Sequence, residues 1–216
     1  MIKCFIFENF KSFEKAELNL EALTTLIGTN SSGKSNAIEG IEILARAATG
    51  IELNTLLDGT SSGGAGVRGG SRGCARFKTS AFKLGCLIDC DEKNDLLYEI
   101  KIGVGDRVGI DEEGLYLVKK DALSPKSNKI FRTKKAEVDR AEIKVQYKNG
   151  GIGNNPDMIC IRSSAILPQM ASKIRRDTEV ERQIADWIDM VVINLRNIRM
   201  LDPIPSVIRS YVRTSD

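Results

Sequence analysis

Eight consecutive residues carry the strongest chemical signal in the chain: Gly28-Thr29-Asn30-Ser31-Ser32-Gly33-Lys34-Ser35. The spacing G-x-x-x-x-G-K-[ST] suits a backbone that must wrap a row of phosphates. Glycines at the fixed positions let the chain turn tightly, so that backbone N–H groups face inward as anion donors. A helix that opens at the loop adds the positive end of its dipole. Lys34 supplies a cation for the β- and γ-phosphates, and the Ser35 hydroxyl supplies a hard oxygen for Mg²⁺. The pattern predicts a site for a nucleoside triphosphate.

Such a loop works only between a strand and a helix. Leu23-Thr24-Thr25-Leu26-Ile27 before it reads as a short buried strand. After it, Ile38, Ile41, Leu44, Ala45 and Ala48 recur at helical spacing. Upstream, Ile2, Cys4 and Ile6 alternate, Asn9-Phe10-Lys11-Ser12-Phe13 interrupts, and Ala16, Leu18 and Leu20 alternate again. Residues 1–50 therefore predict β–β–β–loop–α.

The character then changes. Asp58 to Gly66 and Gly69 to Gly73 are rich in glycine and serine, so residues 51–80 predict a flexible loop that a nucleotide or partner could order. Residues 81–162 predict an antiparallel β region. Phe82, Leu84, Cys86 and Ile88 alternate, then Leu96, Tyr98, Ile100, Ile102 and Val104, with the turn Asp91 to Asp95 between them. Weaker signals follow at Leu115 to Val118, at Ile143, Val145 and Tyr147, and at Met158 to Ile161. Residues 163–216 predict helices: Thr178 and Glu181 have capping-box spacing, Val180, Ile184, Trp187, Val191 and Leu195 form a stripe, and Asp202-Pro203 ends it.

Bulk properties bound the rest. At 216 residues and 42% hydrophobic, the chain can build one sizeable core. It has no histidine, which excludes Ser-His-Asp, Cys-His and histidine–metal chemistry. Its five cysteines have no C-x-x-C pair, so reduced, mostly buried thiols are expected. No apolar run is long enough to cross a bilayer and the N-terminus lacks a signal-peptide pattern, which predicts a cytoplasmic protein with no membrane partner. The net charge of +3 is too small to argue for nucleic acid. Lys119, Lys120, Lys126, Lys129, Arg132, Lys134 and Lys135 lie close together, as either a phosphate-contacting surface or a solvated mobile loop.

The loop and its flanks resemble a particular group. An apolar strand, then Asn9-Phe10-Lys11-Ser12-Phe13, then Gly28 to Ser35 with Asn30 and Asn36, is similar to the opening of the ABC-type ATPase heads of the SMC, RecF, RecN and OLD group. Leu201-Asp202-Pro203-Ile204-Pro205 and Ile208 to Arg213 look like a segment of bacterial RecF-like AAA family ATPases, several of which serve in phage defence. The resemblance implies an α/β (α+β) fold: a mixed sheet around the phosphate-loop helix, an antiparallel β subdomain, and C-terminal helices. It implies ATP and Mg²⁺ as ligands, held by Gly28, Thr29, Asn30, Ser31, Ser32, Gly33, Lys34, Ser35 and Asn36. Lys11 and Ser12 would lie near adenine and ribose. Gln169 would join Ser35 at the metal, or else be a surface glutamine in a proline-containing loop. Arg68 or Arg72 would approach the phosphates, or else be solvated. The implied partners are a second copy or higher oligomer joined through sandwiched ATP, DNA, and an effector nuclease subunit.

Hydrolysis in that group also needs an apolar strand ending in Asp-Glu and an L-S-G-G-Q-like signature. Cys86-Leu87-Ile88-Asp89-Cys90-Asp91-Glu92 imitates the first, but its alternating polarity reads as the end of an antiparallel strand. Ser61-Ser62-Gly63-Gly64 imitates the second, but reads as loop. The expectation is that residues 1–216 form the N-terminal part of a head completed beyond Asp216 or by a second chain. Two functions remain open: a hydrolysing ATPase head, or a non-hydrolytic ATP-sensing scaffold. A phosphate-loop kinase or GTPase is disfavoured, because no N-K-x-D motif is present and the antiparallel run breaks the β–α alternation those folds need.

Overall fold

Alternation of buried and exposed side chains dictates the sheet. The structure, a computed structural model, describes residues 1–60, 65–120, 128–137, 140–148 and 154–200. Eight strands appear there: β1 (Ile2–Phe10), β2 (Phe13–Asn19), β3 (Ala81–Asp89), β4 (Asn94–Val104), β5 (Val108–Lys119), β6 (Asn128–Thr133), β7 (Glu142–Tyr147) and β8 (Asp157–Ile161). They form one sheet in the order β2-β1-β3-β4-β5-β6-β7-β8, and each pair is antiparallel. Four helices follow the chain order α1 (Lys34–Ala47), α2 (Leu53–Asp58), α3 (Ile166–Lys173) and α4 (Glu179–Arg196).

The register places Phe7, Leu84, Ile100 and Glu113 in one row across β1, β3, β4 and β5. That face carries the core, and the helices pack on it. Gly40 of α1 lies against Phe7, and the first N–H groups of α3 meet Glu113. The opposite face carries charges in cross-strand partnership: Lys83 with Glu8 at 2.9 Å and Arg132 with Glu112 at 3.1 Å. Such pairs on an exposed sheet contribute a few tenths of a kcal/mol each and keep the face wet.

Helix α4 starts as its sequence requires. Thr178 Oγ1 accepts from the Glu181 N–H, and the Glu181 carboxylate accepts from the Thr178 N–H. The stripe Ile184, Ile188, Val191 and Leu195 is buried beneath it. Four thiols, Cys4, Cys74, Cys86 and Cys160, are buried and Cys90 is half-buried, all unpaired. Burial pushes the Cys74 thiol up to about 12. No described helix is long and apolar enough to cross a membrane.

Three expectations change. Leu23 to Ile27 joins no strand among the described residues, with Leu23 at 85% and Ile27 at 91% exposure. An apolar run becomes a buried strand only where neighbours cover it, and no described strand lies beside this one. Residues 51–80 are not a featureless loop. Leu53, Leu56 and Leu57 of α2 are fully buried, Val67 N–H donates to the Leu57 carbonyl, and Ser71 N–H donates to Asp58 Oδ1 at 2.7 Å. Glycine composition signalled chain freedom there, whereas buried leucines and tight turns use it to fold back on α2. Part of the basic run forms β6, with Arg132, Lys134 and Lys120 paired to Glu112, Asp157 and Asp89. Lys126, Ser61 to Gly64 and Leu201 to Asp216 lie outside the described residues.

Glu113 is the most consequential buried charge. Its carboxylate accepts from Tyr98 OH at 2.9 Å, Ile166 N–H at 2.7 Å and Leu167 N–H at 2.6 Å. Burial outweighs those donors and lifts its carboxyl to about 7 from the ordinary 4.5. The folded state then holds a proton that the unfolded state has lost between these values. Its contribution is full below pH 4.5 and disappears as pH rises through 7. Urea unfolding should show stability falling across that window by on the order of 3 kcal/mol. Glu113→Gln should flatten the slope. A slope unchanged in that variant would assign the effect to other groups.

Candidate phosphate-binding site

The loop between Ile27 and α1 has the backbone of an anion cradle. Ser31 has φ +67° and Gly33 has φ +97°, both left-handed, with Ser32 between them. Left-handed residues next to right-handed ones turn successive N–H groups to the same side. Gly33 is favoured by its left-handed φ as well as by space, whereas Gly28 is crowded only by a movable hydroxyl. A Cβ at Gly28 would stand 2.8 Å from Ser32 Oγ, and one at Gly33 3.0 Å from the Phe13 ring. Residues 30–36 and Arg68 line an open cleft of about 390 Å³.

The helix end at this cleft differs from the other two long ones. The N-terminus of α3 is filled by the chain's own Glu113, and that of α4 by its capping box. Helix α1 has neither: its N-cap is Gly33, no side chain caps it, and its first turn holds no acid. Its opening N–H groups and dipole are left for an anion. Lys34 Nζ bends over the loop, donating to the Gly28 carbonyl at 2.5 Å, the Thr29 carbonyl at 2.7 Å and Ser32 Oγ at 3.2 Å. These weak neutral acceptors leave the ammonium able to turn to phosphate oxygens, which bind it more strongly.

The motif Asn9 to Phe13 seats the loop. Phe10 stacks with Phe7 at 6.2 Å between ring centroids, Phe13 meets Phe7 tilted at 5.4 Å, and Phe10 reaches Phe82 at 5.3 Å. Phe13 then supports Gly33 from below. Ser12 Oγ accepts from Asn36 Nδ2 at 2.9 Å, and Asn36 Oδ1 accepts from the Arg68 guanidinium at 2.7 Å. Ser12, Asn36 and Arg68 thus form a chain around the helix start. Arg72 is exposed and does not line the cleft.

Lys11 does not stand free for a nucleotide base. Its side chain is 7% exposed and bonds Glu39 Oε2 at 2.7 Å and the Arg68 carbonyl at 2.8 Å. Burial demands a counter-charge for that amine, and Glu39 supplies it. Glu39 is the site residue that motif reading misses. The available signal was an acid one turn after Ser35, on a helix whose neighbouring positions are small or apolar.

A nucleotide triphosphate and its divalent cation fit this donor set. The cradle offers N–H groups, Lys34 and Arg68 for phosphates. Ser35 is exposed at the same helix end and offers a hydroxyl for the cation. No group of three or more acids and thiols that could hold a metal is found among the described residues. Ser35 and the ligand's own phosphate oxygens would supply hard oxygens for such a cation.

Fold and site together define a phosphate-loop nucleotide-binding domain. The chain belongs to the family of AAA ATPase domains, whose family model matches residues 1–188. The family read from Gly28 to Asn36 and Asn9 to Phe13 stands at that level. Among solved structures, the chain is similar to "Structure of the recombination mediator protein RecF-ATP in RecFOR pathway", with 21% identity and a TM-score of 0.35. That likeness covers 51% of this chain and 26% of the other. No curated protein matches.

Two of the three acids of the Cys86 to Glu92 stretch are engaged at this end of the sheet. Asp91 Oδ1 accepts from Lys93 N–H and Asn94 N–H, both at 2.8 Å, and Asp89 pairs with Lys120 at 2.8 Å. This end of β3 lies beside Ile2, whereas the cleft lies beyond Phe10, about 25 Å along β1. Gln169 is also elsewhere. Its neighbour Pro168 approaches within 3.8 Å of where a Gly50 Cβ would stand, past the C-terminal end of α1. Gln169 is therefore about 20 Å, one helix length, from Ser35.

The amide of Gln169 has a different task. Its Oε1 accepts from Ile161 N–H at 2.9 Å and its Nε2 donates to Ile161 C=O at 2.8 Å. It pairs with the outer edge of β8 as a further strand would, and Lys173 Nζ covers Ile159 C=O at 2.9 Å. Gln169→Ala should lower unfolding stability by about 1–2 kcal/mol in urea titration. ATP affinity, read by calorimetry, should not change. A tenfold loss of magnesium-dependent ATP binding would return Gln169 to the metal.

Proposed function

We propose that this domain binds ATP with Mg²⁺ at Gly28 to Asn36 and serves as the nucleotide-binding half of an SMC- or RecF-like head. The observation that carries the reading is the start of α1, where a left-handed glycine loop, a helix dipole with neither side-chain cap nor first-turn acid, Lys34 and Arg68 converge. Lys34 neutralises the outer phosphates, Ser35 and the phosphates hold the cation, and backbone N–H groups fix the chain of phosphates in register. The bound cation screens phosphate charge and draws the ligand onto Ser35.

Among the described residues, no carboxylate lines the cleft. In this reading the acid that polarises water comes from another segment or from a partner chain, and sandwiched ATP joins two heads reversibly. The exposed apolar strip Leu23 to Ile27, which leads straight into the loop, suits a further strand packed beside the site. Coupling of that closure to DNA or to an effector nuclease is the output proposed. The same lack of a lining carboxylate supports a second reading, an ATP-sensing scaffold without turnover. Phosphate release by the chain with Mg²⁺ separates them: sustained turnover rejects the scaffold.

Lys34→Ala should weaken ATP binding on the order of 10- to 100-fold in calorimetry, because it removes a charge-assisted contact to the phosphates. Its unfolding midpoint should stay near wild type, since Lys34 contacts only loop carbonyls and a hydroxyl. Undiminished ATP affinity in a folded Lys34→Ala protein would reject the site.

A further inference from the structure

One ion pair holds both polar backbone groups of a single residue. Glu39 Oε1 accepts from the Arg68 backbone N–H at 2.7 Å, while Lys11 Nζ donates to the Arg68 backbone C=O at 2.8 Å. The two side chains bond each other at 2.7 Å and are 7% and 13% exposed. The Arg68 side chain, 67% exposed, extends from this grip to Asn36 Oδ1 at the cleft. Its guanidinium remains 3.6 Å from Glu39 Oε2, near enough for attraction and too far for a hydrogen bond.

The neighbours of Arg68 are tied to α2 and to each other, with Val67 N–H on the Leu57 carbonyl at 2.9 Å and Gly70 N–H on the Val67 carbonyl at 3.0 Å, whereas the peptide groups of Arg68 itself are held by Lys11 and Glu39. Gly66 precedes Arg68, and Gly69 and Gly70 follow with φ of +85° and +62°. Glycine lets the chain make these turns but carries no side chain of its own to direct the arginine between. Lys11, by contrast, adopts φ +48°, a left-handed conformation that a lysine takes only under constraint. Its N–H donates to the Cys74 carbonyl at 2.8 Å, and the Arg76 N–H donates to the Asn9 carbonyl at 2.8 Å, so both ends of the turn are tied to the same segment.

We propose that Lys11 and Glu39 are positioning residues for Arg68. Their pair grips the Arg68 peptide groups and presents its guanidinium at the mouth of the phosphate cleft, where it favours triphosphate over diphosphate. The inference rests on the nucleotide reading above. A cation already fixed in place loses little freedom when ligand arrives, so its attraction appears in affinity. That attraction grows with ligand charge, and a triphosphate carries one more phosphate than a diphosphate. Lys11 thereby acts on the nucleotide through Arg68 without touching it.

The test is equilibrium binding of ATP and ADP, each with Mg²⁺, to wild type, Glu39→Gln, Arg68→Ala and the double variant. Arg68→Ala should lower ATP affinity about tenfold and ADP affinity less than about threefold. Glu39→Gln should reproduce most of that ATP-selective loss, and the double variant should lose nothing further, because both changes act through one guanidinium. Losses that multiply, equal losses for ATP and ADP, or no loss in Glu39→Gln would each overturn the proposal. The exchange Lys11→Glu with Glu39→Lys restores opposite charges but puts a donor against the Arg68 N–H and an acceptor against its C=O. It should recover thermal stability relative to either single reversal and still lack ATP selectivity. Recovered selectivity would overturn the grip and leave an ordinary ion pair. A wild-type protein that binds neither nucleotide would instead reject the nucleotide reading, and this inference with it.

Discussion

The absence of a methyl group at position 40 governs the arrangement of this domain. Helix α1 lies so close to β1 that a Cβ at Gly40 would stand 2.7 Å from the Phe7 ring and 3.1 Å from the Phe10 ring. That approach carries the whole helix inward along one face. Ala37, Ile43, Leu44 and Ala47 bury themselves on the same side. It also brings Gly33 onto Phe13, Asn36 onto Ser12 and Glu39 onto Lys11. Each pair joins the phosphate loop or its helix to the β1–β2 turn. A helix held one methyl farther out would loosen all of them together, because interiors tolerate little change in separation.

Much of this was legible before any coordinates. The loop Gly28 to Ser35 specifies itself, because its glycines, lysine and hydroxyl answer to one chemical task. The capping box at Thr178 and Glu181 and the alternation through β3 and β4 are equally local, and each appears where its residues predicted. What escaped was set by partners distant in sequence. Leu53, Leu56 and Leu57 were hidden among glycines and serines because six residues are too few for a helical period to show. The strand reading of Leu23 to Ile27 followed its composition, whereas a strand exists only by virtue of its neighbours. Arg68, one of two arginines that the resemblance placed near the phosphates, lines the cleft, but its contacts with Glu39 and Asn36 are ones that no spacing rule encodes.

Two residues show how a motif position can acquire a different physical role. Gln169 has the composition of a metal ligand and the geometry of an edge guard, with its amide engaged on both polar groups of Ile161. Lys11 has the charge of a ligand contact and the burial of a structural tie. In both, the polar atoms are already engaged within the protein. Side-chain identity states what a residue is able to do, while its hydrogen bonds state what it has left to offer.

The strip Leu23-Thr24-Thr25-Leu26-Ile27 has a practical consequence for the chain in isolation. It is uncharged, free of proline and β-prone, and all of it but the half-buried Leu26 is exposed. Those are the attributes of segments that stack into intermolecular sheets. The nearest charges, Glu21 and Lys34, sit outside it on either side and act as its only gatekeepers in the sequence. A segment of that kind is an aggregation hazard wherever it stays uncovered, and here it sits directly before the phosphate loop.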